Sequence, residues 1–176
     1  MATPDDRTTS GPARPDTIAY LTVLYPWISH TFIHREVEGL RRRGIGVKTF
    51  SINGVDPSIL LSDFERAEAE QTVEIKTMAK RRLASVIIRS AVRNPLATVK
   101  TVRLATRGRG LDLGSRLKAV LQVGEALVLH DECERHGIRH IHAHFGQAPA
   151  NIAWFATEYA RFGGDADWTF SYTIHG

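Results

Sequence analysis

The sequence predicts an α/β domain built on a doubly wound parallel sheet. Three observations carry that expectation. Thr17 to Leu24 (TIAYLTVL) is a nearly continuous apolar run with β-branched residues, the pattern of a strand covered on both faces. Strand-like and helix-like segments then alternate through most of the chain. Turn signals such as Tyr25-Pro26, Gly44, Asn53-Gly54 and Gly163-Gly164 punctuate them.

After the first strand, Trp27 to Thr31 reads as a short loop, with Ser29 or Thr31 able to cap the next helix. Ile33, Val37 and Leu40 form that helix's inner face, and Arg35, Glu38, Arg41 and Arg42 occupy the other. Gly46 to Ile52 (GVKTFSI) is a second strand, completing a unit the size of a right-handed βαβ crossover. A short helix over 65–70 and a weaker third strand over 72–77 follow. Residues 80–93 and 95–107 read as two helices divided by Asn94-Pro95, a helical insert. Leu83, Val86, Ile87 and Val92 give one apolar stripe, and Leu96, Val99, Val102 and Leu104 the other. Gly108-Arg109-Gly110 breaks the pattern, and Ser115 is expected to cap a long helix to His136, lined by Leu117, Val120, Leu121, Leu127 and Val128. Arg139 to Phe145 is a strand, and a helix opens at Pro149 with Ile152, Phe155, Ala156 and Tyr159 inward. A final strand covers 167–173.

A chain of 176 residues with 43% hydrophobic content is one domain's worth of core. It has no run of 18 apolar residues, so no transmembrane helix is expected. Residues 1–16 are rich in Pro, Thr and Asp without an apolar core and read as a disordered tail rather than a signal peptide. Cys133 is the lone cysteine, which excludes an intrachain disulfide and suits a cytoplasmic setting. The net charge of +4 is unevenly spread. Residues 80–109 hold nine Lys/Arg and no Asp/Glu, while the remainder holds 14 basic and 19 acidic residues. That segment faces something anionic or is a solvated helix surface. It contains no aromatic residue, which argues against nucleic acid and in favour of an anionic membrane surface.

In doubly wound sheets, ligands bind at the carboxyl ends of the strands. Three loops are expected there: Tyr25–Thr31, Phe145–Gln147 and Ile174–Gly176. The first leads into a helix N-terminus, a place suited to phosphate. Neither a G-x-G-x-x-G fingerprint nor a G-x-x-x-x-G-K-[ST] loop occurs. His140, His142 and His144 are spaced by two and share one strand face. An H-x-H pair can bind zinc, but no cysteine or carboxylate cluster lies nearby in sequence. The competing expectation is polar contacts with one cleft-lining histidine, and no metal is assigned. His175 follows the last strand, where a histidine would orient or polarise a hydroxyl, or would simply belong to a mobile end. Gly176 beside it would let a substrate approach the backbone.

Tyr25-Pro26-x-x-Ser29-x-Thr31-Phe32-Ile33, with Glu36 and Leu40 before Gly44, resembles the opening of family 4 glycosyltransferases of the GT-B fold. His142-Ala143-His144-Phe145, Pro149-Ala150 and Thr173-x-His175-Gly176 continue the resemblance in the same order. The likeness is strongest to bacterial enzymes of exopolysaccharide assembly, such as the colanic acid type. It spans residues 17–176 and is weakest over 53–138.

The resemblance implies a Rossmann-like N-terminal, acceptor-side domain. Such enzymes move a sugar from a nucleotide-sugar to an acceptor with retention, usually without a bound metal and with no cofactor beyond the donor substrate. His175 would lie beside the transferred sugar, and Ser29, His30 and Thr31 near the donor phosphates and acceptor. His144, Gly146 and Gly176 would line the cleft. The basic helices would sit near a membrane that carries a lipid-linked acceptor. Many relatives have Glu where this chain has His30, which puts that loop's acceptor preference in question. The expectation is also that the family's C-terminal nucleotide-sugar domain is absent, leaving this chain inactive alone. The alternative expectation is a non-catalytic α/β module that binds an anionic membrane or a protein partner. A third is metal-dependent hydrolysis at the histidine strand.

Overall fold

Helix α1 (Thr31–Arg42) joins two parallel neighbours, β1 (Thr17–Thr22) and β2 (Gly46–Ser51), in register from Thr17 opposite Gly46 to Thr22 opposite Ser51. The computed structural model describes residues 17–27, 31–60, 62–78, 80–107 and 112–174. A 3-10 turn (Pro57–Ile59) and α2 (Asp63–Gln71) lead to β3 (Val73–Glu74). Three helices follow: α3 (Lys80–Arg93), α4 (Pro95–Arg107) and α5 (Leu113–Arg135). β4 (His140–His144), α6 (Ala148–Phe162) and β5 (Thr169–Thr173) complete the fold. The five strands are all parallel in the order β3-β2-β1-β4-β5. The chain winds outward from β1 through β2 to β3, then returns to build β4 and β5 on the other side. This is the Rossmann-like doubly wound architecture, with its switch point between β1 and β4.

Right-handed crossovers on either side of that point put their helices on opposite faces. Ala19 and Leu21 of β1, Phe50 of β2, and Ile141 and Ala143 of β4 join the main core under α3 to α6. Tyr20 faces the other way, into a smaller core with Tyr25, Ile33 and Val37 under α1. Strand alternation then places Thr22 on the α1 face with Tyr20.

Several local expectations change. β3 is only two residues long, paired through Phe50–Val73 and Ser51–Glu74. The helix expected over 65–70 runs Asp63–Gln71, because Ser62 and Glu65 form a capping box at its start. Asp112, not Ser115, caps α5: its Oδ1 accepts from the Ser115 N–H at 2.8 Å. The inward face of α4 is Ala97, Thr101 and Ala105, while Leu96 and Val99 point outward. Small residues let α4 lie close to its neighbours, so the larger aliphatics are turned away. Val92 of α3 and Leu117, Val120 and Leu121 of α5 are likewise exposed, whereas Leu127 and Val128 are buried as expected. Arg41 does not lie on a solvated outer face. It reaches Glu68 beneath α2, a buried carboxylate that also accepts from the Tyr25 hydroxyl at 3.2 Å. Burial, and next the Glu68 charge, raise the Tyr25 phenol above its ordinary pKa.

Candidate functional site

At the switch point the carboxyl ends of β1 and β4 diverge, and α1 passes over them. Four side chains from three elements meet there. Tyr20 comes from β1, Glu36 from α1, and His142 and His144 from β4. The Tyr20 hydroxyl donates to Glu36 Oε1 at 2.8 Å. Glu36 Oε2 lies 3.5 Å from His144 Nε2. The Tyr20 ring centroid is 5.0 Å from that of His142 and 5.1 Å from that of His144. Glu36 remains 45% exposed, whereas His144 is fully buried. The cluster is therefore open at its carboxylate and closed at its floor. Burial, reinforced by Glu36, holds the Tyr20 phenol protonated well above its usual range.

The three histidines of β4 share one face, as their spacing requires. Facing them on β5 are Thr169, Ser171 and Thr173, in direct register. Thr169 Oγ1 is 2.8 Å from His140 Nδ1, and Ser171 Oγ is 3.0 Å from His140 Nε2. The same Ser171 oxygen is 2.8 Å from His142 Nδ1, and Thr173 Oγ1 is 3.2 Å from His142 Nε2. A hydroxyl has one proton to give, so Ser171 donates to one imidazole and accepts from the other. Within this ladder the neutral tautomers of His140 and His142 are therefore coupled: both rings carry Nε2–H or both carry Nδ1–H. Burial lowers the His140 pKa, favouring the neutral ring.

Glu36, His142 and His144 also present one ligand atom each within 4.8 Å of one another. Zinc bound at about 2.0–2.1 Å wants ligand atoms closer together than that. Either ring nitrogen of His142 would have to leave a β5 hydroxyl to ligate. As arranged, the cluster is a hydrogen-bonded array of a phenol, a carboxylate and imidazoles.

Around this cluster the backbone is unusual. Phe145 has φ 71° and Gln147 φ 66°, both in the region that favours glycine. Gln147 is also the N-cap of α6 and makes no side-chain cap. The first backbone N–H groups of α6 thus receive no side-chain partner from it. Between these residues Gly146 has open space around its missing Cβ. In the floor, Thr22 Oγ1 is buried and has no hydrogen-bond partner among the described residues. Such an orphan hydroxyl costs about 1–3 kcal/mol unless a ligand satisfies it.

A second recess of about 120 Å³ lies at the end of β1, lined by Tyr25, Pro26, Trp27, Thr31, His34 and Phe64 among others. Thr31 is the first residue of α1 and is exposed there. Of the residues expected at the site, the structure brings His144 and Gly146 to the switch point and Thr31 to this neighbouring recess. Ser29, His30, His175 and Gly176 lie outside the described residues, as does the tail 1–16. Tyr20 and Glu36 are the additions, and His142, weighed from its spacing as a metal ligand or polar contact, joins them. The sequence held one signal for Glu36, its place in the resemblance. It held none for Tyr20, which reads as an ordinary apolar strand residue.

No helix among the described residues is long and apolar enough to cross a membrane. Comparison with protein-family models, with curated proteins and with solved structures finds no match to this chain.

Proposed function

We propose that this chain is the acceptor-side domain of a family 4, GT-B glycosyltransferase that transfers a sugar from a nucleotide-sugar with retention. The observation that carries the reading is the meeting of Glu36 with His144. Two of the sequence stretches that resemble the family, far apart in the chain, converge on one carboxylate–imidazole cluster at the switch point. Glu36 would accept hydrogen bonds from acceptor hydroxyls, with the Tyr20 hydroxyl fixing the carboxylate and His144 beside it. The orphan Thr22 hydroxyl would take a further polar contact. His175 would lie beside the transferred sugar, with Ser29, His30 and Thr31 near the donor phosphates. In the reaction an acceptor hydroxyl oxygen forms the new bond to the anomeric carbon, and its proton passes to the departing phosphate oxygen. The bond from that carbon to phosphate breaks, and the nucleoside diphosphate leaves with the electron pair. The acceptor would be lipid-linked or a growing polysaccharide, and the basic segment 80–109 would hold the domain at an anionic membrane surface.

The test is sugar incorporation by the full product of the coding frame, offered a panel of radiolabelled nucleotide-sugars with membrane lipids and polysaccharide. Transfer is expected from one donor. Glu36→Gln and His144→Ala should each lower kcat/KM by roughly a hundredfold. A folded product that transfers nothing from any donor, or variants that transfer as well as the parent, would sink the reading.

A further inference from the structure

Where α3, α4 and α5 meet, they leave a groove of about 490 Å³. Its walls include Leu83 and Ile87 of α3, Val102 of α4, and Val120, Leu121 and Gly124 of α5. The Lys76–Glu125 ion pair, at 3.4 Å, also lines it. Gly124 brings α5 close to α3: a Cβ there would already touch Ile87 Cδ1 at 3.4 Å. On α5, Leu113, Leu117, Val120, Leu121 and Gly124 recur at i, i+4, i+7, i+8 and i+11. The groove therefore runs out along an apolar stripe to the first turn of the helix. Leu113 is 82% exposed, Leu117 58% and Leu121 60%. Val99, adjacent to the groove face of α4, is exposed as well.

Two of these helices, α3 and α4, also carry charge of one sign. α3 and α4 together hold eight Lys/Arg and no Asp/Glu. Arg82 and Arg89 pair with Glu132 and Asp131 in the C-terminal half of α5. Arg81, Arg103 and Arg107 form no ion pair with a described carboxylate.

We propose that the groove takes one acyl chain of an anionic phospholipid, while the unpaired arginines hold headgroup phosphates. This deepens the membrane contact proposed above and rests on it. An apolar cleft beside a one-signed basic surface matches a lipid in both of its parts. A second copy of this chain would set that basic surface against itself. A nucleic acid would leave the groove empty, and no aromatic residue on α3 or α4 offers a base a stacking partner. The long arginine stems suit a boundary where carbon is buried and charge stays wet.

The test uses the full chain with Leu121→Cys carrying a polarity-sensitive fluorophore. Cys133 is buried, so the new thiol is the accessible one among the described residues. Vesicles of equal parts phosphatidylglycerol and phosphatidylcholine should shift the emission to the blue at low salt. Doxyl groups on the lipid chain should quench it, and phosphatidylcholine vesicles alone should do neither. Leu117→Asp with Leu121→Asp should weaken vesicle binding by about tenfold or more, because both sites are exposed and the fold does not depend on them. Gly124→Leu, filling the groove, should abolish chain quenching; if it does not fold, the aspartate pair decides. Vesicle binding without chain quenching would overturn the groove assignment and leave the membrane contact standing. Absence of vesicle binding would overturn both. Shielding of the fluorophore by self-association without lipid would assign the face to a second copy and overturn the proposal.

Discussion

The Tyr20 hydroxyl donates to Glu36 Oε1 across the interface of β1 and α1, at 2.8 Å. This bond leaves the second carboxylate oxygen facing His144 Nε2. It ties the position of an exposed helix carboxylate to a buried strand residue. The tie is rigid because the Tyr20 ring is packed among Tyr25, Ile33 and Val37. Tyr20→Phe removes the hydroxyl and keeps the ring. The midpoint of denaturant unfolding should fall by the equivalent of about 1 kcal/mol with an unchanged slope. Under the proposed function, sugar transfer should also fall by about tenfold more than stability explains, since Glu36 loses its anchor. A neutral Tyr20→Phe would mean that the carboxylate is held by something else.

Glu68 is the second carboxylate that α1 depends on. It is buried, pairs with Arg41 and accepts from the Tyr25 hydroxyl. Glu68→Ala would strand that hydroxyl and the half-buried Arg41 guanidinium together. The expected loss is about 3 kcal/mol in urea unfolding. Arg41→Met leaves the Glu68 carboxylate, only 3% exposed, buried without its charge partner, so it should cost at least as much as Glu68→Ala.

Stability should depend on pH through His130, His34 and His140. Burial is the leading cause that lowers the pKa of each. His130 lies stacked on Trp168 with centroids 4.6 Å apart, and edge-on to Tyr159. Nearby Glu134, Asp131 and Asp165 oppose the shift without cancelling it. A histidine with a depressed folded-state pKa takes its proton first in the unfolded chain. The stability it contributes is therefore full above its ordinary pKa of about 6.5 and is lost as pH falls through and below that value. The urea midpoint should drop from about pH 7 to pH 5.5, and His130→Phe should make that drop shallower. An unchanged drop in His130→Phe would show that His130 binds its proton equally in the folded and unfolded chain.

The parallel sheet was legible because its strands are written as apolar runs with turn signals between them. The shared face of His140, His142 and His144 was legible for the same reason, since strand alternation is a local rule. The burial of α4 was not. Its large aliphatics suggested the inner face, but close helix packing selected Ala97, Thr101 and Ala105 instead. The partnership of Glu36 with β4 was not legible either. It depends on β1 and β4 being neighbours, which follows from the strand order and not from any single stretch. The same holds for Arg41, whose partner comes from a separate helix.

Gln147 sits at φ 66° and ψ −117° immediately after Gly146 and before α6. That is the conformation of the first central residue of a type II′ turn, a glycine position. A side chain there costs about 1–3 kcal/mol. The neighbouring Gly146 has a negative or extended φ and open space, so glycine is present one residue away from where conformation asks for it. The strain falls beside the cluster of Glu36, His142 and His144, at the entry to α6. Gln147→Gly should raise thermal stability by about 1 kcal/mol, after the entropy that glycine itself loses on folding. Gly146→Ala should leave stability nearly unchanged, which controls for the loop as a whole. If the strained geometry serves ligand binding, Gln147→Gly should also raise the KM for acceptor while leaving kcat close to that of the parent. A Gln147→Gly variant less stable than the parent would show that the turn is not strained at this residue.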